Sequence, residues 1–317
     1  MLLSVENAVA VERVGAKAAI DMFVEAGFTG MDYSFFNGGE AWEKAFGGPD
    51  ALKKAEEIRV YAKEQGLALS QSHAPFKFRF GMEMSENEYE FYRIVRSMEI
   101  AAAMEIPAIV VHSVMLDEDA CGPEYNARML DYNERYYNAL LPYAERFGIR
   151  IAVENLTGRR PPENLPTTEN LGTPELFREM QDRLRSPFIC GCLDIGHANM
   201  TTKDAPGFIR SCKGYVQYIH THDNDGFHDN HQLPALSYYL DLGRGGPNVP
   251  KSSRKPGEYF TIPWDEVLSA LREIGYDGPF NLELIRYLNG FRTEDLPLAM
   301  KLAVQVGQRM MKEVLPG

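Results

Sequence analysis

Short apolar runs alternate with longer segments of helical periodicity along most of the chain. Apolar runs of about four to eight residues between turn signals are typical of buried strands, and strands that alternate with helices predict parallel βα units. The predicted strands are Met1–Val5, Gly30–Tyr33, Leu67–Ser72, Ala108–His112, Ile149–Glu154, Ile189–Asp194, Tyr215–His220 and Phe280–Leu284.

Between the strands, apolar residues recur at the spacing of one helix face. Glycine follows several of these segments directly, at Gly66, Gly148 and Gly275, where a residue that ends a helix in the left-handed conformation is expected. The predicted helices are Val11–Ala26, Asp50–Gln65, Ser85–Met104, Ala127–Phe147, Pro174–Leu184, Trp264–Ile274 and Glu294–Glu313.

The number of βα units decides between two architectures. Eight units close a barrel, whereas about five or six leave an open doubly wound sheet. The pattern therefore favours an α/β fold of the (β/α)8 TIM-barrel type. No Ser-, Gly- or Pro-rich linker divides the chain, so residues 1–317 are predicted to form a single domain. The segment 236–258 is rich in glycine and proline and is predicted to be a long loop insertion after the seventh strand.

The charge of the chain limits its partners. The formal net charge is −12, whereas non-specific binding to nucleic acid or to an anionic membrane depends on an excess of Lys and Arg. We therefore expect neither nucleic acid nor membrane as a partner. Four cysteines in 317 residues do not resemble a disulfide framework. No secretory signal pattern precedes the first helix, and both features favour a cytoplasmic location.

Residues of metal-ligand type stand at the C-terminal ends of the predicted strands. From the third strand to the eighth they are His73, His112, Glu154, Asp194, His220 and Glu283. The C-terminal ends of barrel strands converge on one rim, where the active sites of this fold lie. One such residue after a strand is usually structural or solvated. Their recurrence at successive strands indicates a shared site.

The faces of the strands support this interpretation. Residues two apart on a strand share a face, so Ala152 lies on the face of Glu154, and Cys190 and Cys192 lie on that of Asp194. Larger apolar residues occupy the intervening positions and are predicted to face the helices. Small residues are therefore predicted to fill the barrel lumen below the rim.

The motifs at these strand ends resemble the sugar phosphate isomerase/epimerase family of the xylose isomerase-like TIM-barrel superfamily. The most specific pieces are a D-x-G-H pattern and the H-x-H-D-N pattern that follows it. The matching segments are Ser72-His73-Ala74-Pro75, Val111-His112, Val153-Glu154-Asn155, Leu193-Asp194-Ile195-Gly196-His197, Ile219-His220-Thr221-His222-Asp223-Asn224-Asp225, Asp229-Asn230-His231 and Leu282-Glu283.

The resemblance implies a divalent metal ion, and the implied ligands are Glu154, Asp194, His220 and Glu283. His220 is preferred over His222 because the H-x-x-D spacing of the family is met by His220 and Asp223. Mixed oxygen and nitrogen ligands suit Mn²⁺ or Zn²⁺, with Co²⁺ and Mg²⁺ as alternatives.

The implied activity is a metal-dependent isomerase or epimerase that acts on a sugar or a related hydroxy-carbonyl compound through an enediolate. Glu154 and Glu283 would be its acid/base pair, and a small carbohydrate would be its partner. Barrels of this kind often form homo-oligomers, so a dimer or tetramer is expected. The residues expected to bind substrate are His73, His112, His197, Asp229, His231 and Arg160.

Two departures from the ketose 3-epimerases leave the substrate open. Arg160 stands where those enzymes commonly have a second Glu, and Asp223 and Asp225 lie where they carry an Arg. One alternative is a metal-dependent dehydratase of a cyclic keto-polyol (inosose type), which begins with the same enolisation. A non-catalytic sugar-binding barrel is another.

The third alternative is an endonuclease IV-like zinc phosphodiesterase that acts on abasic DNA. Its additional ligand positions are filled here, but the net charge of −12 and the lack of a basic run disfavour DNA binding. The residues at those positions are His73, His112, His197, Asp229 and His231.

Overall fold

A computed structural model of the chain describes residues 1–36, 39–81, 84–116, 122–160, 165–234 and 262–315. In this part of the chain, eight parallel strands pair in sequential order and close into a barrel through the pairing of the first strand with the last. The predicted (β/α)8 TIM-barrel class is confirmed. The barrel strands are β1 Leu3–Glu6, β2 Gly30–Ser34, β3 Ala68–His73, β4 Ala108–Val111, β5 Arg150–Glu154, β6 Ile189–Asp194, β7 Tyr218–Thr221 and β8 Phe280–Leu282.

Helices follow the strands and cover the outside of the barrel. Most predicted helices agree with the structure to within a few residues, and Gly148 and Gly275 end two of them in the left-handed conformation as expected. The helices are α1 Ala8–Val14, α2 Ala16–Ala26, α3 Gly39–Trp42, α4 Ala51–Glu64, α5 Met84–Ala103, α6 Pro123–Phe147, α7 Pro174–Leu184, α8 Ile195–Thr202, α9 Ala205–Ser211, α10 Trp264–Ile274, α11 Ile285–Asn289 and α12 Leu296–Val314.

One predicted helix is wrong, because the structure has two helices in its place. The segment Val11–Ala26 is two helices, α1 and α2, which meet at Gly15. Gly15 has a φ of 80°, a conformation that glycine adopts without steric cost and that ends α1. The apolar periodicity continues across the break, which is why the sequence pattern indicates one element.

The interior of the barrel separates into two apolar layers, as the alternation of side chains predicts. The lumen cluster consists of small and medium-sized residues together with one large residue, Tyr218, whereas the other large apolar residues of these strands pack against the helices. The lumen cluster consists of Ala108, Val110, Ala152, Cys190, Cys192 and Tyr218. The strands β4 to β7 contribute this cluster, which lies in the lumen below the rim.

Two further segments lie near the rim. The strands Gly158–Arg160 and Leu165–Thr167 pair antiparallel in the connection after β5. The predicted loop insertion 236–258 lies outside the described residues. Among the helices that the structure describes, none is both long enough and apolar enough to cross a membrane.

Candidate active site

Four ligand-type side chains converge at the rim from four strands. Glu154 ends β5, Asp194 ends β6, His220 lies in β7 and Glu283 follows β8 directly. One ligand atom from each of them lies within 4.8 Å of the others, and all four side chains are buried. We call these residues the ligand quartet. They are the four residues singled out by the sequence.

Asp194 and Asn155 fix the geometry between β5 and β6. The Asp194 carboxylate accepts a hydrogen bond of 2.6 Å from the backbone N–H of His197, so Asp194 caps helix α8 while it faces the site. The Asn155 side chain donates to the backbone oxygen of Asp194 and accepts from its backbone nitrogen. Gly196, two residues after Asp194, has no room for a side chain, because a Cβ there would overlap the imidazole of His222.

His220 is the central member of the ligand quartet. Its Nδ1 atom lies 2.9 Å from Glu154 Oε1, 3.3 Å from Glu283 Oε2 and 3.9 Å from Asp194 Oδ2. Three carboxylates that share one buried space repel one another unless a cation lies between them. The donor set of three carboxylates and one imidazole therefore fits a divalent metal ion.

The protonation states agree with that fit. Burial opposes ionisation of Glu154, but the neighbouring histidines, first among them His220, hold the pKa of its carboxyl well below the ordinary value. The pKa of Glu283 is also lowered: His220 and His231 outweigh the effect of burial. Both carboxylates are ionised at neutral pH, the form in which they ligate metals or accept protons.

A polar layer lies beneath His220. The Nε2 atom of His220 lies 2.9 Å from the side-chain nitrogen of Gln71, which also donates to Asp32 Oδ2 at 2.8 Å. Asn281 donates to the same Asp32 oxygen. Among the described residues, the side-chain oxygen of Gln71 has no hydrogen-bond partner. As placed, Gln71 presents its amide nitrogen as a donor to His220 Nε2, and rotation of the amide would present its oxygen to a proton on that atom instead.

A second group of ligand-type atoms adjoins the quartet. His73 and His112 lie with their Nε2 atoms 3.0 Å apart, and His112 Nε2 lies 3.0 Å from Glu154 Oε2. The ligand atoms of His73, His112 and Glu154 also lie within 4.8 Å of one another. Glu154 thus belongs to both groups.

A third group lies on the other side of Asp194. His222, Asp229 and His231 bring ligand atoms within the same 4.8 Å limit. The rings of His222 and His231 are stacked with centroids 4.2 Å apart, and His222 Nε2 lies 3.2 Å from Asp194 Oδ2. In the endonuclease IV-like alternative, His197 and not His222 is the predicted metal ligand beside Asp229 and His231. In the structure His197 Nε2 lies 3.6 Å from Asp229, at the edge of the group.

An open cavity of about 660 Å³ lies above these groups. Five of the six residues expected to bind substrate line it together with Glu154 and Glu283; they are His73, His112, His197, Asp229 and His231. The sixth, Arg160, lies in the short hairpin strand Gly158–Arg160, but its side chain is outside the part that the structure describes.

Sequence reasoning missed two sets of residues at this site. Asp32 and Gln71 are large polar side chains inside strands that are predicted to be buried, and that contrast is a signal that could have found them. Phe76 and Phe80 line the cavity from the connection after β3. No periodicity marks residues of such a connection, so the sequence pattern offered no signal for them.

Comparison with known proteins agrees with the fold. Residues 20–313 match the profile of the xylose isomerase-like TIM barrel family. An uncharacterized protein of Methanocaldococcus jannaschii is 28% identical over 216 residues, which is 67% of this chain and 62% of that protein. The chain thus spans less than two thirds of that relative's length.

Solved structures share the fold along nearly the whole chain. A D-tagatose 3-epimerase-like protein superimposes with a TM-score of 0.67 at 22% identity, covering 99% of this chain and 98% of that one. IolI protein with a bound zinc atom superimposes with a TM-score of 0.64 at 15% identity and covers 99% and 98% of the two chains. These likenesses show the fold. Since the family profile matches almost the full length, the chain belongs to the xylose isomerase-like TIM barrel family.

Proposed function

We propose that this protein is a divalent-metal-dependent isomerase or epimerase that acts on a sugar or a related hydroxy-carbonyl compound. The observation that carries the proposal is the ligand quartet, in which two ionised carboxylates, Glu154 and Glu283, face one cavity from β5 and β8. The similarity to a D-tagatose 3-epimerase-like protein supports the class of reaction.

The ligand quartet would hold Mn²⁺ or Zn²⁺, with Co²⁺ and Mg²⁺ as alternatives. A bound divalent ion would polarise the substrate carbonyl and stabilise negative charge on the oxygens next to it. Asp194 and His220 would bind that ion and would take no part in the proton transfer. Asp194 is pre-oriented because it also caps helix α8.

The proton transfer falls to Glu154 and Glu283. One carboxylate removes the proton from the carbon next to the carbonyl, which leaves an enediolate, and a protonated carboxyl returns a proton. If the carboxyl formed in this way returns the same proton to the neighbouring carbon, the product is an isomer. An epimer requires protonation of the original carbon from the opposite face, so the second carboxylate must first take up a proton from solvent, and the first then releases its proton to solvent. Because both carboxylates are ionised before substrate binds, either can act as the base.

The other polar residues of the cavity would orient the substrate. We assign hydroxyl contacts to His73, His112, His197, Asp229 and His231, and a contact to an anionic or hydroxyl group to Arg160. Paired donors and acceptors on two sides of the cavity would hold the reacting carbon between the carboxylates, which is the positioning that such a reaction requires.

Exchange of substrate hydrogen with solvent tests the proposal. The protein loaded with Mn²⁺ is incubated in D₂O with a panel of ketoses, keto-acids and inososes, and deuterium in the recovered compounds is measured by mass spectrometry. We expect exchange at the carbon next to the carbonyl and its loss by orders of magnitude in Glu283→Gln. The surface variant Glu273→Gln is the matched control. Near-wild-type exchange in Glu283→Gln would contradict the assignment of Glu283 to the acid/base pair.

The same experiment separates the dehydratase alternative. A cyclic keto-polyol that exchanges hydrogen and then loses water gives a product lighter by the mass of water, whereas an isomerase conserves the mass of its substrate. Both reactions begin with the same enolisation and would use the same ligand quartet. The mass of the product therefore distinguishes the dehydratase from the isomerase.

A second candidate function is hydrolysis of a phosphodiester, as in endonuclease IV. The observation that favours it is the presence of two further ligand groups, His73–His112–Glu154 and His222–Asp229–His231, beside the quartet. The net charge of −12 disfavours a DNA partner. Three bound zinc ions per chain together with nicking of abasic-site DNA would favour this candidate over the isomerase.

A further inference from the structure

The cavity extends beyond its polar floor along an aromatic wall formed by Phe36, Phe76 and Phe80. The Phe76 ring is stacked on His112 with centroids 4.9 Å apart, and the Phe36 ring meets His73 edge-on at 5.3 Å. The wall therefore begins one side chain away from the proposed acid/base pair, and Phe80 lines the same cavity.

Two of the three rings of this wall are open to solvent. Phe76 is 36% exposed and Phe80 is 50% exposed in the connection after β3. A contiguous exposed apolar surface beside polar groups is typical of a ligand-binding site. Phe80 has one aromatic neighbour, Tyr132, which supports it edge-on from helix α6.

Hydrogen bonds hold the wall in shape. The Arg79 guanidinium donates to the backbone oxygens of Phe76 and Phe78 at 2.6 and 3.0 Å. The Asn87 side chain from helix α5 accepts from the backbone nitrogen of Arg79 and donates to its backbone oxygen. The two Phe rings are thus presented by a braced loop, which lowers the entropy lost when a ligand covers them.

The charges of the cavity limit what can cover the wall. Among the described residues that line the cavity, Arg79 is the one lysine or arginine, and its Nη1 atom is committed to the two backbone oxygens. The rings of the wall carry no charge and no hydrogen-bonding group, so their surface favours an apolar group over a charged one. The cavity volume of about 660 Å³ lies within the range of about 300–1,000 Å³ that holds ligands larger than a free monosaccharide.

We propose that the aromatic wall binds an uncharged apolar substituent of the sugar substrate, such as the aglycone of a glycoside. This inference rests on the proposed function for the sugar end of the ligand. The sugar lies over the ligand quartet, and its substituent packs on Phe36, Phe76 and Phe80. The substrate class is then a keto-sugar that carries such a substituent, for example a glycoside with a keto group on its sugar ring.

Calorimetric binding of paired glycosides tests the inference. The phenyl and methyl β-glycosides of glucose, galactose and mannose are titrated into the protein loaded with Mn²⁺. Because a phenyl ring buries far more apolar area than a methyl group, at least one phenyl glycoside should bind about tenfold or more tightly than its methyl partner. Phe80→Ala should reduce that preference by about threefold or more, whereas Leu298→Ala, a 70% exposed position on helix α12, should retain it.

Equal affinities within every pair would overturn the inference, and so would the failure of all six glycosides to bind at millimolar concentration. A phenyl preference that survives in Phe80→Ala would also overturn it, because the ring would then lie elsewhere. Selective binding of phenyl glycosides without solvent exchange of any substrate hydrogen would leave the aromatic wall intact as a binding site and reject the proposed function instead.

Discussion

Glu6 at the end of β1 and Glu154 at the end of β5 are each 1% exposed, but their surroundings differ. Glu154 lies within 2.9 to 3.9 Å of four histidines. Glu6 accepts hydrogen bonds from the backbone of Ala8 and the hydroxyl of Ser34, and its other oxygen has no partner among the described residues.

The difference appears in the protonation of the two carboxyls. Burial raises the pKa of Glu6 to about 8, since its neutral donors offset only part of the cost of a buried charge. The same burial acts on Glu154, but His220 and the other histidines lower its pKa well below the ordinary value. The charge on these two equally buried carboxyls thus depends on their partners: the histidines around Glu154 favour its ionised form, whereas Glu6 has no charged partner of this kind in the described part of the chain.

The largest expected effect is that of Glu154→Gln. Removal of an ionised base and metal ligand should lower turnover by about 10²- to 10⁴-fold or more. The matched substitution Glu6→Gln, at an equally buried carboxyl, should leave turnover within a few-fold. Steady-state kinetics on whichever substrate shows solvent exchange measure both. Equal losses in the two variants would remove the distinction between the two regions.

The next effect concerns the stability of the fold with pH. Below the ordinary Glu pKa of 4.5, Glu6 is protonated in the folded and unfolded states alike; between 4.5 and about 8 it ionises only on unfolding. Stability should therefore fall as pH rises through this window, with a slope that approaches about 1.4 kcal/mol per pH unit.

Glu6→Gln removes this titration. Urea unfolding at pH 6 and pH 7.5 should give a free energy of unfolding that drops less in the variant than in the wild type, by about 2 kcal/mol. The midpoint alone is sufficient if the urea dependence is unchanged. An identical pH profile in both proteins would show that Glu6 is ionised in the folded state.

A smaller effect, on metal affinity, is expected from a substitution of Gln71 beneath the ligand quartet. A metal bound through His220 Nδ1 leaves the ring proton on Nε2, and the unpartnered side-chain oxygen of Gln71 is the acceptor within reach of it after the amide rotates. Gln71→Met should weaken Mn²⁺ binding by about 10- to 100-fold. Competition with a chromophoric chelator measures the affinity.

Gln181→Met is the control for that measurement, because Gln181 lies on helix α7 and bonds to the backbone of its own helix. Equal Mn²⁺ affinity in the two variants would mean that Gln71 does not orient His220.

The smallest effect is expected at the surface. Hydrogen bonds from Arg210 lower the pKa of Glu273 to about 2, but both side chains are exposed to solvent. Exposed ion pairs contribute little to stability. Glu273→Gln should leave the thermal unfolding midpoint unchanged within error. A clear loss of stability would show that partners matter at the surface as they do at the rim.

Local pattern was sufficient to predict the barrel and the ligand-type residues at its strand ends, because strand length, helix ends and the residue type at each strand end are properties of short segments. The alternation at Ala152 and Cys192 predicted the lumen for the same reason. These features depend on a few neighbouring residues and on the general rule that parallel strands share a rim. The selection of Glu154, Asp194, His220 and Glu283 from the larger set of ligand-type residues came from the family resemblance.

The features of the site that could not be predicted from the sequence depend on contacts between distant segments. His222 and His220 are two residues apart and share a strand face, so choosing between them for each ligand group requires the positions of Asp194 and Asp229. The protonation of Glu6 depends on partners that it lacks, and the aromatic wall depends on how Arg79 braces a loop. None of these follows from periodicity.

Anomalous diffraction from crystals soaked in Mn²⁺ tests the central claim most directly. The account predicts a single strong peak enclosed by Glu154, Asp194, His220 and Glu283, about 2.0–2.4 Å from one oxygen or nitrogen of each. The peak should vanish in crystals of a Glu283→Gln variant that retains the fold. A fully soaked crystal with no peak among these four residues, or with its metal elsewhere, would contradict the account.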